Sequence, residues 1–324
     1  MSSYLIRRLL ALVPTFFGIT IIVFTLIQLA PGNVIDYYLA ANPELEADPE
    51  QLQAMEARLG LDKPVIVQYF IWLNRLLHFD FGYSFSTNRP ISSELAARLG
   101  ATATLFLFSH LIGWPIAIFF GILSAIKPNS VLDHFSRAVG LAGISMPAYW
   151  VALMLILIFA VELRWFPTGG SISPTAEFQN VFQYLGDRLW YLVLPSITIA
   201  LRSVATTMRV TRAEMLEVLG KDYIATARSK GLSEKVVYLK HALRNALLPV
   251  VTLIGLGMGG ILSGAVLTET VFAWPGIGRY LVRSIHVRDY PAVMAVVVIA
   301  STMVLLANLV TDIVYAFIDP RVKY

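Results

Sequence analysis

The chain has 324 residues, 57% of them hydrophobic and 14% charged, with a mean hydropathy of +0.68. Soluble domains are about a quarter charged and apolar for less than half of their residues, so this composition excludes a single water-soluble core and requires a bilayer as solvent for much of the chain. The net charge of +4 fits the basic bias of membrane proteins and does not call for nucleic acid, while the absence of cysteine removes disulfides, thiolate chemistry and thiol-based metal sites.

Six stretches are long and apolar enough to cross ~30 Å of hydrocarbon as helices: 9–30, 101–126, 137–161, 190–208, 247–271 and 292–317. The expectation is an all-α integral membrane protein. The first stretch follows Arg7 and Arg8 and imitates a secretory signal. Its apolar run exceeds a signal's usual ~7–15 residues and it lacks a small-x-small cleavage site, so it reads as a retained span entering from the cytoplasmic side. Residues 31–100 are expected to form a small helical extracytoplasmic subdomain. Within it an acidic helix is expected at 42–58, behind turns at Pro43 and Pro49. The run PVIVQYFIWLNRLLHF sets Gln68, Asn74 and Arg75 between helically spaced apolar residues, as in a helix lying on the membrane or over a channel. The run FDFGYSFSTNRP, with Gly82 and Pro90, reads as a loop.

The remaining five stretches, within 101–317, form a core, and 318–324 a cytoplasmic tail. Pro115, Pro147 and Pro195 are expected to kink their spans. The fourth span is the weakest, because Arg202 and several Ser and Thr dilute it. A five-span count would place the chain ends on opposite sides. Charge favours six: two basic residues before the first span, Lys127 and Arg137, nine between Arg202 and Arg244, and Arg321 with Lys323 put 15 of the 25 Lys and Arg on the side of both termini. The positive-inside rule makes that side cytoplasmic.

Polar groups inside spans are functional candidates by default. Arg202 and Arg209 share a helical face and could attract a carboxylate in an inner vestibule, although snorkelling of Arg202 to the cytoplasmic headgroups is the plainer reading. His110 is either a substrate contact or, more plainly, a hydrogen-bonded packing histidine. For Asn308 and Asp312, four residues apart, bonding between helices is the plainer explanation and ion or proton coupling a distant second. Gly255 with Gly259, and Gly260 with Gly264, form small-xxx-small frames that let backbones approach closely. They serve packing or a mobile pathway wall. WPGIG at 274–278 reads as an interfacial turn. Arg202, His110, Gly255 and Gly259 are therefore the pathway candidates.

Residues 209–246 are rich in helix formers and basic groups. Gly220 and Gly231 bracket a short helix over 221–230, and Ser233 is placed to cap the next one. On pattern alone, a solvated connecting loop whose charges set topology is the plainer reading. The residues point further. Ala225, Thr226 and Ala227 precede Gly231 with the spacing of the cytoplasmic EAA loop, and the segment resembles that loop in ATP-binding-cassette importer permeases. Ala225 stands where that family has a leading Glu, and Thr226 where it has Ala. DYIATARSKG and HALRNALLP resemble the dipeptide/oligopeptide branch. So do the opening RRLLALVPTFFGITIIVFTLIQLAPG, LGLDKPVIVQYFIWL with FDFGYSF, and VLTETVFAWPGIGRYLVRSIHVRDYP. The likeness is to the B-type subunit and covers nearly the whole chain.

That resemblance implies a type I ABC importer permease: a non-catalytic subunit in the prokaryotic cytoplasmic membrane. It would share a pathway with a homologous C-type permease, receive solute from an extracytoplasmic solute-binding protein, and be driven by two ABC ATPase subunits. No cofactor is expected on this chain; ATP and Mg belong to the ATPases. The implied ATPase-coupling residues are Asp222, Tyr223, Ala225, Thr226, Ala227, Arg228, Lys230 and Gly231. The absence of a GxxxxGK[ST] run agrees with ATP hydrolysis elsewhere, and neither HExxH nor GxSxG occurs. An ion-driven secondary transporter, the main rival, would show inverted repeats, and none is evident.

Overall fold

The computed structural model describes residues 2–29, 62–258 and 261–318. The helix expected at 42–58, the tail from 319, and Gly259 with Gly260 lie outside these described residues. The described chain is helical: α1 Ser2–Gln28, α2 Val65–Leu77, α3 Ile91–Ile126, α4 Val131–Ser145, α5 Ala148–Leu155, α6 Val181–Leu219, α7 Asp222–Ser229, α8 Leu243–Met258, α9 Ile261–Val271, α10 Ile277–His286 and α11 Tyr290–Ile318. Helix α5 runs on through a π-helical stretch, Ile156–Glu162, and α8 is entered through another, Val237–Ala242.

Four of these helices, α1, α3, α6 and α11, are long and apolar enough to cross a membrane, and a bent pair makes a fifth. That pair corrects the third expected span. Instead of one helix, α4 and the helix from Ala148 to Glu162 meet at 110°. The cause is Pro147, which has no N–H to donate and pushes its predecessor out of the helical region; Met146 is extended, with φ −77° and ψ 132°. Pro115 and Pro195, also expected to kink their spans, sit inside α3 and α6 without ending either. The fifth expected span falls on α8 and α9 together.

Small residues set the helix contacts. A Cβ on Gly121 of α3 would lie 2.7 Å from the Thr211 Cβ and 2.8 Å from the Met208 carbonyl of α6, and Gly113 faces Ala200 and Val204. Gly143 brings α4 equally close to Ala205 and Leu201. Gly255 of α8 packs on Thr311 of α11, whose hydroxyl donates to the Gly255 carbonyl at 2.7 Å. Between apolar helices in lipid, such close approach supplies the dispersion contact that holds them together. Helix α2 is amphipathic as expected. Leu73 and Leu76 are buried with Val23 and Phe24 of α1 and Met294 and Val298 of α11, and the Tyr69 hydroxyl lies 3.0 Å from that of Thr20.

The long helices carry two sets of contacts, one at each end. At one end Thr102, Glu269, Trp274, Ser84 and Asp289 meet; at the other, Ser124, Asp133, Arg212 and α7. The second end also holds an Arg8–Asp312 ion pair at 3.2 Å, joining α1 to α11.

Candidate coupling site

Helix α7 is short because both ends are turns. Helix α6 stops at Gly220, whose N–H donates to the Glu217 carbonyl, and Lys221 is extended. Asp222 opens α7, where the N-terminal partial positive charge favours a carboxylate. At the far end the Gly231 N–H donates to the Arg228 carbonyl at 2.9 Å and the Leu232 N–H to the Ala227 carbonyl at 3.4 Å. With Gly231 at φ +78°, this is a Schellman closure, which calls for a residue tolerant of the left-handed region. Open space surrounds the position a Gly231 Cβ would take, so conformation rather than crowding selects glycine there.

One face of α7 is an anchor. Ile224 and Ala227, three residues apart, are buried against Ala125 of α3, Met215 and Val218 of α6, and Val237, Ala242 and Ala246 beyond. Complete burial of Ile224 contributes about 2 kcal/mol. Ala227, expected to meet a partner, instead faces this chain's own core, and Ile224, absent from the expected set, fixes the helix. Asp222, Tyr223, Ala225, Thr226, Arg228, Lys230 and Gly231 are all exposed.

Two side-chain links hold α7 to the chain beyond Gly231. Arg228 Nε donates to Glu234 Oε1 at 2.9 Å and its Nη2 to Oε2 at 3.3 Å. The Asn245 amide donates to the Tyr223 hydroxyl at 2.8 Å. The Arg228 guanidinium holds the Glu234 carboxyl below its ordinary range. Ser233, expected to cap the next helix, begins it with no side-chain hydrogen bond.

Just above α7 lies a cluster that sequence reasoning missed. Asp133 is fully buried and accepts from Arg212 Nε at 2.6 Å and Nη2 at 3.0 Å, from the Asn129 N–H at 2.9 Å, and from the Ser124 hydroxyl. It ties together the ends of α3, α4 and α6 nearest α7. The available signal was a charge beside a turn, Ser130 to Asp133, which reads locally as an N-cap and is one here: the Asp133 N–H donates to the Ser130 hydroxyl at 3.2 Å. Its long-range partner was invisible.

Among the described residues, the pathway candidates His110, Gly255 and Arg202 have separate surroundings. His110 is buried, its ring stacked on Phe106 at 4.1 Å and edge-on to Trp114 at 4.7 Å, with Nδ1 2.9 Å from the Phe106 carbonyl. Gly255 is engaged with Thr311 of α11, and Gly259 lies outside the described residues. Arg202 is exposed on α6. At the opposite end the buried Glu269 accepts from Thr102 at 2.6 Å and from the Arg279 N–H at 3.1 Å. Its carboxyl occupies the space a Gly276 side chain would need. Trp274, expected in an interfacial turn, is wholly buried and donates to the Ala101 carbonyl at 3.0 Å.

Residues 117–324, which include α7 and its anchors, match the family of binding-protein-dependent transport system inner membrane components, and residues 1–106 match that family's N-terminal region. The chain belongs to this family. As a member of it, the chain is 42% identical over 337 residues to the dipeptide transport system permease protein DppB of Alkalihalophilus pseudofirmus, with both chains fully covered. It is also 42% identical over 326 residues to the oligopeptide transport system permease protein AppB of Bacillus subtilis, again with full coverage of both. Over 340 residues it is 37% identical to DppB of Escherichia coli strain K12, covering 100% of this chain and 99% of that one. This binding-protein-dependent permease is therefore a membrane component of a transport system. Helix α7 lies within the matched region.

Proposed function

We propose that the chain is the B-type permease subunit of an ATP-driven importer of dipeptides or oligopeptides in a prokaryotic cytoplasmic membrane. Its companions are a C-type permease, two ABC ATPases that carry the ATP and Mg, and an extracytoplasmic solute-binding protein. Taking α4 with α5 as one crossing and α8 with α9 as another gives six spans and puts both chain ends on one side. The basic bias makes that side cytoplasmic. Residues 31–100 then lie outside, and α7 lies at the cytoplasmic surface.

The observation that carries this reading is the form of α7. It is a helix of eight residues with turns at both ends, one face seated on three helix ends and the other open. An ATPase groove that grips Tyr223, Ala225, Thr226 and Arg228 would displace the inner ends of α3, α6 and α8 together, because Ile224 and Ala227 couple them. A loop whose only task was to connect spans would need neither the buried anchor nor the side-chain links. The test is to isolate the complex through a tag on this chain and identify its companions, then measure dipeptide uptake in proteoliposomes. We expect two ATPases and a second permease, with uptake that needs ATP. Uptake by this chain alone, in ATP-free vesicles under an ion gradient, would overturn the reading in favour of a secondary transporter.

A further inference from the structure

Helix α6 presents a polar stripe that takes no part in the α3, α4 or α7 contacts. Arg202, Thr206, Arg209 and Ala213 recur at helical spacing, and Arg202, Arg209 and Ala213 are exposed. The face of α6 that packs on α3, with Ala200, Val204 and Thr211, lies about half a turn away. Towards one end the stripe is closed, since Ile199 packs into the cluster of Ala101, Leu105, Leu192 and Trp274. Towards α7 it is open.

Arg202 lies midway between the two contact clusters. Arg202 is ten residues from Leu192, in the Trp274 cluster, and ten from Arg212, in the Asp133 cluster, roughly 15 Å from each. The two landmarks are thus about one hydrocarbon thickness apart. The neighbouring helix agrees: Gly113, opposite Ala200 and Val204, is midway along α3 between Thr102 and Ser124. A guanidinium at that depth against lipid tails is costly, and lipid-facing helices of this chain look different. The exposed side chains of α1 include Leu9, Leu10, Val13, Ile21, Ile22 and Leu26. Among the described residues neither Arg202 nor Arg209 has an ion pair; Glu217, farther down α6, is paired with Lys221 at 2.9 Å.

We propose that Arg202 receives the carboxylate of the transported solute at the middle of the pathway, with Arg209 on the same face about two helical turns, roughly 10 Å, below it. This rests on the importer reading and adds to it a solute group and the residues that recognise it. Moving a carboxylate through a low-dielectric constriction carries a large desolvation cost. A guanidinium offsets that cost with charge-assisted, bidentate hydrogen bonds. With the two landmarks taken as the headgroup levels, a lipid phosphate does not fit Arg202, which lies about 15 Å from either along α6; Arg209, three residues from Arg212, is the one nearer the headgroups. Since α6 runs directly into α7, a stroke on α7 would shift both cations relative to the closed end of the stripe.

The test uses the complete transporter in proteoliposomes with a radiolabelled dipeptide bearing a free C-terminus. Arg202→Gln should cut ATP-driven uptake about tenfold, the equivalent of one lost charge-assisted hydrogen bond. Arg202→Lys should retain most of it, and the second permease should co-purify undiminished with both. Wild-type uptake by Arg202→Gln would overturn the proposal. So would loss of the second permease from the Arg202→Gln complex, which would assign the arginine to a partner's acidic residue. If the wild-type complex carries no dipeptide, the peptide-importer reading falls and this inference with it; the wild-type control keeps that failure apart from one confined to Arg202.

Discussion

Two glycines show how differently one residue type is held in place. Gly231 has open space around it and a left-handed backbone. Gly231→Ala should cost about 1–2 kcal/mol of conformational strain, and Gly231→Asn less, because Asn tolerates that region. Gly231→Pro locks φ near −65° and removes the N–H that donates to Arg228. We expect it to insert into membranes normally but to lose both ATPase co-purification and transport; normal transport by this variant would exclude the coupling role. Gly276 is the reverse case. An added Cβ would lie 2.1 Å from the Glu269 carboxylate, so Gly276→Ala should lower the melting temperature and the yield of the complex, although its φ of −93° suits any residue. Asp133→Asn leaves the Arg212 guanidinium without its counter-charge. Removing one partner of a fully buried pair costs about 3–5 kcal/mol. Arg212 is 22% exposed, so about 2 kcal/mol is expected, read as a lower melting temperature of the purified complex.

At the scale of the element, the proposed coupling role of α7 depends on its anchor, Ile224 and Ala227. Ile224→Ala should cost about 2–4 kcal/mol by cavity formation. Because the cavity lies between α7 and the spans, ATP hydrolysis should continue while solute carried per ATP falls, a ratio measurable in one assay. A parallel loss of both activities would show that the anchor serves assembly alone. The Arg228–Glu234 link lies in water and contributes mainly geometry. The depressed Glu234 carboxyl means that the link is present above the ordinary carboxylate range and opens only as pH falls below it. Transport between pH 8 and about 5.5 should therefore show no step that Glu234→Gln removes. Short elements of this kind were legible in the sequence, because Gly220 and Gly231 fix where α7 ends. Its buried face was not. Ile224 and Ala227 are two apolar positions in a charged segment, and only the ends of α3 and α6, far off in the chain, reveal them as an anchor.

At the scale of the whole molecule, the apolar runs placed most crossings because lipid imposes a length that composition alone satisfies. The break at Pro147 was expected only as a kink. Its size follows from how α4 seats on α6 through Gly143, a contact no local pattern encodes. The same holds for Asp133, Glu269 and Asp289, buried carboxylates whose partners lie on other helices. Asp289 accepts from Ser84, Phe85 and Ser86, more than 200 residues away. These acids pin the two ends of the helix assembly, and between them α6 carries Arg202 and Arg209 towards α7. On the proposed function the chain would be a transmission: force entering at α7 would be shared among three helix ends and reach the pathway through α6. Because the sequence contains no cysteine, one introduced at Ala225 is a unique chemical handle on the exposed face of α7. In the assembled transporter, a short bifunctional crosslinker at that cysteine should join this chain to the ATP-hydrolysing subunit, with a yield that changes between nucleotide-free and ATP-bound states. Free labelling of the same cysteine by a water-soluble maleimide in the intact complex, with no crosslinked partner in either state, would contradict the transmission role.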